Sequence, residues 1–308
     1  MLKFYEIAPF NMYRRDFIKR SSLAYAATFL PVTGFTIKNK PKFKMGLQLF
    51  TIRDAMKADP LGSLKKAKAM GYEDLEIYGF DPEQIGYYGY EAKEFKLILD
   101  DLNLTTTSGH YDFSSYFDKP DDELKSYLNS CIQGAHILNK SYITWPWLAP
   151  EFRTIENYKM LSGKLNWMAE HVNSAGLGFA YHNHDFEFTD HNGQTGYDIL
   201  LEETDPELVK LQMDMYWVMH SSKKTPQQLI AANPDRYVMW HIKDMDKVSR
   251  DYTELGNGSI DYGAMLSQID IGALQYYYIE QGSNFAQNSM QSIADSAKFF
   301  KKNLRQYL

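Results

Sequence analysis

The sequence predicts an α/β fold, a single closed (β/α)8 TIM barrel over residues 41–308, and three observations carry that prediction. Eight short β-rich runs alternate strictly with eight stretches of helical period, which favours a closed parallel barrel over an open doubly wound sheet. No G-x-G-x-x-G follows the first run, as a dinucleotide-binding sheet would require. The last four runs each end on a residue able to bind a metal: His182, Asp214, His241 and Glu280. Strand ends are where a barrel collects its chemistry.

Taken in order, the predicted strands are Met45–Phe50, Asp74–Tyr78, Leu104–His110, Ser141–Trp145, Leu177–Asn183, Val209–Asp214, Tyr237–Lys243 and Leu274–Glu280. Each is short, rich in β-branched or aromatic residues and bounded by turn formers. The first predicted helix, Pro60–Met70, begins on a proline, carries Leu61, Leu64 and Ala67 at turn spacing and stops at Gly71. Ala92–Leu102 and Asp121–Leu138 follow, and Ile155–Ala175 stops at Gly176. Gly196–Glu203 is the shortest; Thr225–Ala232 opens on Thr-Pro; Asp261–Ile269 and Asn288–Leu304 complete the set. The long aromatic segment after the second strand (79–90) and the segment 111–120 after the third are candidates to cap a small-molecule pocket.

Residues 1–40 are set apart as an export signal and linker. Arg14-Arg15-Asp16-Phe17-Ile18-Lys19 leads into the weakly apolar stretch 21–30, too short to span a bilayer. It resembles a twin-arginine export signal, and the resemblance implies a periplasmic protein; the alternative is a basic amphipathic helix on a cytoplasmic protein. No later stretch is long and apolar enough for a membrane helix. A formal net charge of −6, with Lys and Arg scattered beyond pairs such as Lys65-Lys66, gives no footprint for nucleic acid. Cys131 is the only cysteine, so no intramolecular disulfide forms. A small-molecule partner is the expectation, and a homo-oligomer is compatible with it.

The strand-end residues point to one divalent cation. Imidazoles and carboxylates together suit Zn²⁺, Mn²⁺, Co²⁺ or Mg²⁺, and a buried carboxylate such as Asp214 or Glu280 is costly without a partner. Taken singly, each is equally well a core polar group with a local hydrogen bond. Four at equivalent places on successive strands make the cation the better account. Period-two facing puts His184 with His182, and Lys243 with His241.

From Lys44 onward the chain resembles the sugar isomerase/epimerase superfamily of xylose-isomerase-like barrels, which includes tagatose 3-epimerase, hydroxypyruvate isomerase, inosose dehydratase and endonuclease IV. The resemblance rests on Gly46–Asp54, Ala180–Phe188, Leu211–Trp217, His241–Met245 and Tyr278–Gln281. It implies a metal site of a carboxylate after strand five, Asp214, His241 and Glu280. The first ligand departs from the pattern, because His182 stands where the epimerases carry a glutamate, as histidines do in inosose dehydratases. His182 or Glu187 fills that place; His182 is favoured because it ends the strand.

The chemistry implied is proton abstraction beside a carbonyl, through an enediolate that the cation stabilises. Glu280, His184 and Glu187 are the candidate bases. Lys243 is the candidate electrophile or acid, its alternative being a surface ion pair with Asp244 or Asp246. Gln48, Glu76 and His110 are expected to bond substrate hydroxyls or to be satisfied in the core. Trp145, Trp147 and Trp217 stack on a sugar or pack in the core, the core being the simpler reading. Gly256-Asn257-Gly258-Ser259, the one Gly-rich loop placed for phosphate, is expected instead to cap the helix at Asp261. The expected activity is therefore a metal-dependent isomerase, epimerase or lyase acting on an unphosphorylated sugar, polyol or keto-glycoside. An endonuclease IV-like nuclease and a non-catalytic carbohydrate-binding barrel are the alternatives.

Overall fold

The computed structural model describes residues 42–308; the twin-arginine stretch lies outside them. Eight parallel strands close into a barrel in which each pairs with its sequence neighbours and the last returns to the first. They are β1 (Gly46–Gln48), β2 (Asp74–Ile77), β3 (Thr105–His110), β4 (Tyr142–Trp145), β5 (Gly178–His182), β6 (Val209–Asp214), β7 (Tyr237–Ile242) and β8 (Tyr276–Ile279). The helices between them are α1 (Pro60–Ala69), α2 (Ala92–Asp101), α3 (Asp121–Ile137), α4 (Ile155–Ser174), α5 (Gly196–Glu203), α6 (Pro226–Ala232), α7 (Tyr262–Leu266) and α8 (Ser289–Asn303). Among the described residues no helix is long and apolar enough to cross a membrane.

The helices start where their caps dictate. Asp59 accepts from the Gly62 amide ahead of Pro60 in α1, Thr154 from Asn157 in α4, and Asn288 from Gln291 in α8. Thr195 with Asp198, and Thr225 with Gln228, close capping boxes on α5 and α6. Gly71 and Gly176 end α1 and α4 at φ of 98° and 79°, a conformation costly for any side chain.

Three departures from expectation bear on the site. The first strand is shorter, because Leu49–Ile52 turn as a 3-10 helix whose cap is the Gln48 side chain. The aromatic segment after β2 folds into a three-stranded antiparallel ribbon of Phe80–Asp81, Gly86–Tyr87 and Tyr90–Glu91. A short helix, Met215–Ser221, follows β6 directly, with Asp214 as its cap.

The main apolar core lies between strands and helices, where Tyr72, Phe95, Trp145, Trp240 and Phe300 are fully buried. Inside the barrel the apolar layer is only a small plug of Tyr142, Ala180, Val238, Met239 and Tyr278. The next layer toward the mouth holds the buried polar residues Gln48, Glu76, Ser108, Thr144, Gln212 and His241. Strand register slips between Leu75 and Glu76, and again between Leu211 and Gln212. Irregularities of this kind re-aim side chains, and here they sit beside two members of that polar layer.

Candidate metal and active site

Glu76 organises the polar layer. Its Oε2 accepts from Gln48 Nε2 at 2.7 Å and meets His241 Nε2 at 2.5 Å; its Oε1 accepts from Ser108 Oγ and Gln212 Nε2, each at 2.6 Å. Gln212 also accepts from His110 Nε2 at 2.7 Å, which puts a proton on that nitrogen. Burial works to raise the Glu76 carboxyl, but the His110 and His241 imidazoles outweigh it and hold the group well below the usual carboxylate range.

Above this layer Asp214, His241 and Glu280 bring one ligand atom each to within 4.8 Å of the others. All three are buried. His241 Nδ1 lies 2.6 Å from Glu280 Oε2, and His182 Nε2 lies 3.6 Å from Asp214 Oδ2. The Lys243 ammonium is 2.6 Å from Asp214 Oδ2 and 2.8 Å from Glu280 Oε2, so its partners are not Asp244 or Asp246. The approach to Asp214 is an ionic contact with poor hydrogen-bond direction, and that oxygen has no hydrogen-bond partner. A second trio, His110, His182 and His241, comes equally close together. Because His110 Nε2 is committed to Gln212 and Glu76, the carboxylate trio is the better donor set.

The charges decide what each group can do. Burial would lower Lys243, but Asp214 and Glu280 hold it well above its ordinary value. Burial would raise Glu280, and Lys243 with His241 hold it well below. His241 is pushed up to about 9 by Glu76 and Glu280 against its burial. In Asp214 burial prevails over Lys243 and His241, and the carboxyl is raised. His182 and His184 are driven well below the usual imidazole range by burial, with neighbouring cations adding to it, so both are neutral. A neutral imidazole is what a metal ligand or a base requires; His182 and His184 meet that condition as they stand, and His241 would meet it by giving up a proton to a bound ion.

The donor set fits a divalent cation. Among the described residues the buried His182 Nδ1 has no partner and Asp214 Oδ2 has only its ionic contact with Lys243, and two imidazoles with two carboxylates form a set suited to Zn²⁺, Mn²⁺ or Co²⁺.

The other anticipated residues divide into two groups. His110, His184, Trp217 and Lys243 line an open cleft of about 1150 Å³ above the cluster, together with His182 and Glu280. Gln48 and Glu76 are wholly buried beneath it and do not line it. Glu187 also sits apart: its Oε1 accepts from the Tyr181 hydroxyl at 2.7 Å and its Oε2 from the His184 amide at 2.8 Å. Burial, partly offset by those two bonds, raises it to about 7. The tryptophans separate as well. Trp145 is core, donating Nε1–H to the Trp147 carbonyl, whereas Trp147 and Trp217 line the cleft.

Sequence reasoning did not find Gln212, Asn183 or Tyr252. Gln212 shares a strand face with Asp214, and that period-two signal marks it. Asn183 accepts from the Asp214 amide at 3.1 Å, fixing the ligand strand from behind. Tyr252 lines the cleft from the loop after β7, 5.9 Å from the Lys243 ammonium, and only the fold brings it there. The Gly-rich loop is also different from expectation. Its amides at Gly256, Gly258 and Ile260 donate to the Asp244 carboxylate, and Asp261 itself caps α7.

The model of the xylose isomerase-like TIM barrel family matches residues 64–303, and the chain belongs to that family. A search of curated protein sequences found no match. Among solved structures, a sugar phosphate isomerase/epimerase from Parabacteroides distasonis superposes with a TM-score of 0.73 at 22% identity, covering 90% of this chain and 99% of that one. The IOLI protein, solved with a bound zinc atom, gives 0.68 at 17%, covering 86% and 99%. An L-ribulose 3-epimerase gives 0.65 at 15%, covering 86% and 95%. At these identities the likeness is one of fold.

Proposed function

We propose that this chain is a divalent-metal-dependent enzyme of the sugar isomerase/epimerase kind, or a related lyase, acting on an unphosphorylated sugar, polyol or keto-glycoside. The observation that carries this reading is the convergence of Asp214, His241 and Glu280 beneath the cleft, which Glu280 and the neighbouring His182 line. These four would hold the ion. When bound, it supplies Lewis acidity that makes a C–H beside a carbonyl removable near neutral pH. The zinc- and epimerase-bearing neighbours named above support the same reading.

The chain's own residues supply the proton chemistry. Glu280, held ionised by Lys243 and His241, is a ligand and a weak base. His184 is neutral and lines the cleft, which suits it to take the proton. Lys243 stays charged and faces the cleft, where it polarises a carbonyl or donates to a departing oxygen. Trp217 Nε1, buried and unpartnered, offers a donor to a substrate hydroxyl. Phosphate is disfavoured on two counts. The loop that would cradle it already holds Asp244, and the cleft wall carries Asp112, Asp118 and Glu151. That acidic wall also argues against a nucleic-acid backbone.

The test is metal content together with solvent-deuterium exchange into a panel of ketoses and 3-keto-glycosides, read by NMR. About one divalent ion per chain is expected. Asp214→Ala and His241→Ala should release it and abolish exchange; survival of both would sink the assignment. Lys243→Met should keep the ion and lower turnover by about 10²-fold, the scale of one acid-base group.

A further inference from the structure

Among the phenylalanine, tyrosine and tryptophan side chains of the described residues, two are exposed. They are Phe50 and Trp147, each at 41%, and both line the same cleft. Exposed apolar surface gathered at one cleft marks a binding surface. Trp147 is also held rigidly. The Arg153 guanidinium packs 4.4 Å from its ring and 3.6 Å from that of Phe186, and Arg153 Nε donates to the Leu148 carbonyl at 2.9 Å. The backbone carbonyl of Trp147 is fixed by Trp145 Nε1 at 2.7 Å, and its indole meets His184 edge-on at 5.3 Å. One face of the indole is therefore occupied by a cation, and its exposed part abuts the residue assigned to proton transfer. The same wall carries the exposed carboxylates of Asp118 and Glu151, which make no hydrogen bond among the described residues and are acceptors for hydroxyl groups. An aromatic face attracts polarised C–H groups electrostatically, and flanking carboxylates bind vicinal hydroxyls. The two together match a pyranose ring. The cleft, at about 1150 Å³, exceeds the range of about 300–1,000 Å³ that encloses a drug-sized ligand. Between Trp147 and the cluster stand His184, 5.3 Å from the indole, and His182, 4.9 Å from His184.

We propose that the Trp147 wall is a second sugar subsite, and that the substrate is a two-ring glycoside whose reacting ring sits over Asp214, His241 and Glu280 while its neighbour stacks on Trp147. This rests on the reading of the cluster as a sugar-processing site. The experiment measures binding to the metal-loaded protein by tryptophan fluorescence and saturation-transfer NMR. Cellobiose, maltose and trehalose serve as two-ring probes, and glucose and methyl glucoside as one-ring probes. At least one two-ring probe should bind tenfold or more tightly than either one-ring probe. Trp147→Ala should remove that advantage while changing one-ring binding less than twofold and leaving metal content unchanged, and Trp147→Phe should restore most of it. Equal binding of one- and two-ring probes, an advantage that survives Trp147→Ala, or failure of every probe to bind would overturn the proposal. Loss of the metal reading shows separately. If the protein holds no ion and catalyses no exchange, yet the Trp147-dependent preference persists, the subsite stands and the catalytic assignment falls.

Discussion

Asp74 and Glu76 lie two residues apart on β2, on the same face and equally buried, yet their carboxyl groups move in opposite directions. Asp74, at the end of the barrel away from the cluster, accepts from the hydroxyls of Thr105 and Thr107, and burial raises it to about 6 with those two bonds and Lys44 only partly offsetting. Glu76 faces the same burial but has His110 and His241 against it, and is held well below the carboxylate range. Burial sets the same starting penalty for both. Whether a cation stands within contact decides the outcome. The barrel thus has a carboxyl at one end that no cation within contact holds down and a charge-compensated mouth, and the mouth is the end electrostatically prepared for a cation and an anionic reaction centre.

Replacing Glu76 by glutamine tests the charged half of this comparison and should have the largest effect. The carboxylate accepts from Gln48, Ser108, Gln212 and His241, so a glutamine NH₂ would be set against existing donors. The expected cost is about 3–5 kcal/mol, the scale for removing one member of a buried ion pair. It should appear as a lower urea midpoint at unchanged slope. Metal affinity should fall by about 10- to 100-fold, as when the outer hydrogen-bond partner of a ligating histidine is lost. A stability change within about 1 kcal/mol would show that Glu76 is no more than a buried polar group.

Asp74→Asn should act in the opposite sense. The native carboxyl titrates near 6 and the unfolded one near 3.8, so the folded state binds more protons between these values and stability falls as pH rises through them. Asparagine carries no such dependence, and the threonine hydroxyls can turn to accept from its amide. The variant should gain on the native protein from about pH 4 to pH 6 and then level off. The shift bounds the gain at about 3 kcal/mol, less any loss in hydrogen bonding. Other groups titrate in this window in both proteins, so the difference between the two stability curves is the measurement. A flat difference would mean that Asp74 feels no burial penalty.

The sequence makes this architecture legible where one physical signal dominates. Alternation of β-rich and helical runs, with Gly71, Gly176, Thr225 and Pro60 as punctuation, yields all eight strands and eight barrel helices, because each signal acts within a few residues. The mouth cluster is legible from strand ends, since polar groups closing apolar runs must find partners there. Three features are not carried by that pattern alone. Met215–Ser221 begins as a helix because the Asp214 side chain accepts from the Trp217 amide, so a candidate ligand doubles as a cap. Gln48 and Glu76 read from position alone as hydroxyl binders or as satisfied core groups, and the layer they occupy lies below the cleft. The Gly-rich loop reads as a helix cap because nothing local shows that Asp244 reaches its amides.

Glu187 is where the comparison is most easily broken, and the expected effect is the smallest. It is buried like Glu76, but its partners are a hydroxyl and an amide, as in Asp74, and it too is raised, to about 7. A carboxylate of this kind would have to leave the Tyr181 hydroxyl and the His184 amide to reach an ion, whereas His182 already lies 3.6 Å from Asp214 with a nitrogen unpartnered. Glu187→Gln retains an oxygen for the His184 amide, so metal affinity should change by less than about twofold. His182→Ala should lower it by about tenfold or more, the loss of one ligand. Titration of both apo variants with Zn²⁺ and Mn²⁺ under one set of conditions decides the matter. Should Glu187→Gln lose the ion while His182→Ala keeps it, the glutamate swings in on binding, and the division between cation-paired and cation-free carboxylates describes only the ion-free protein.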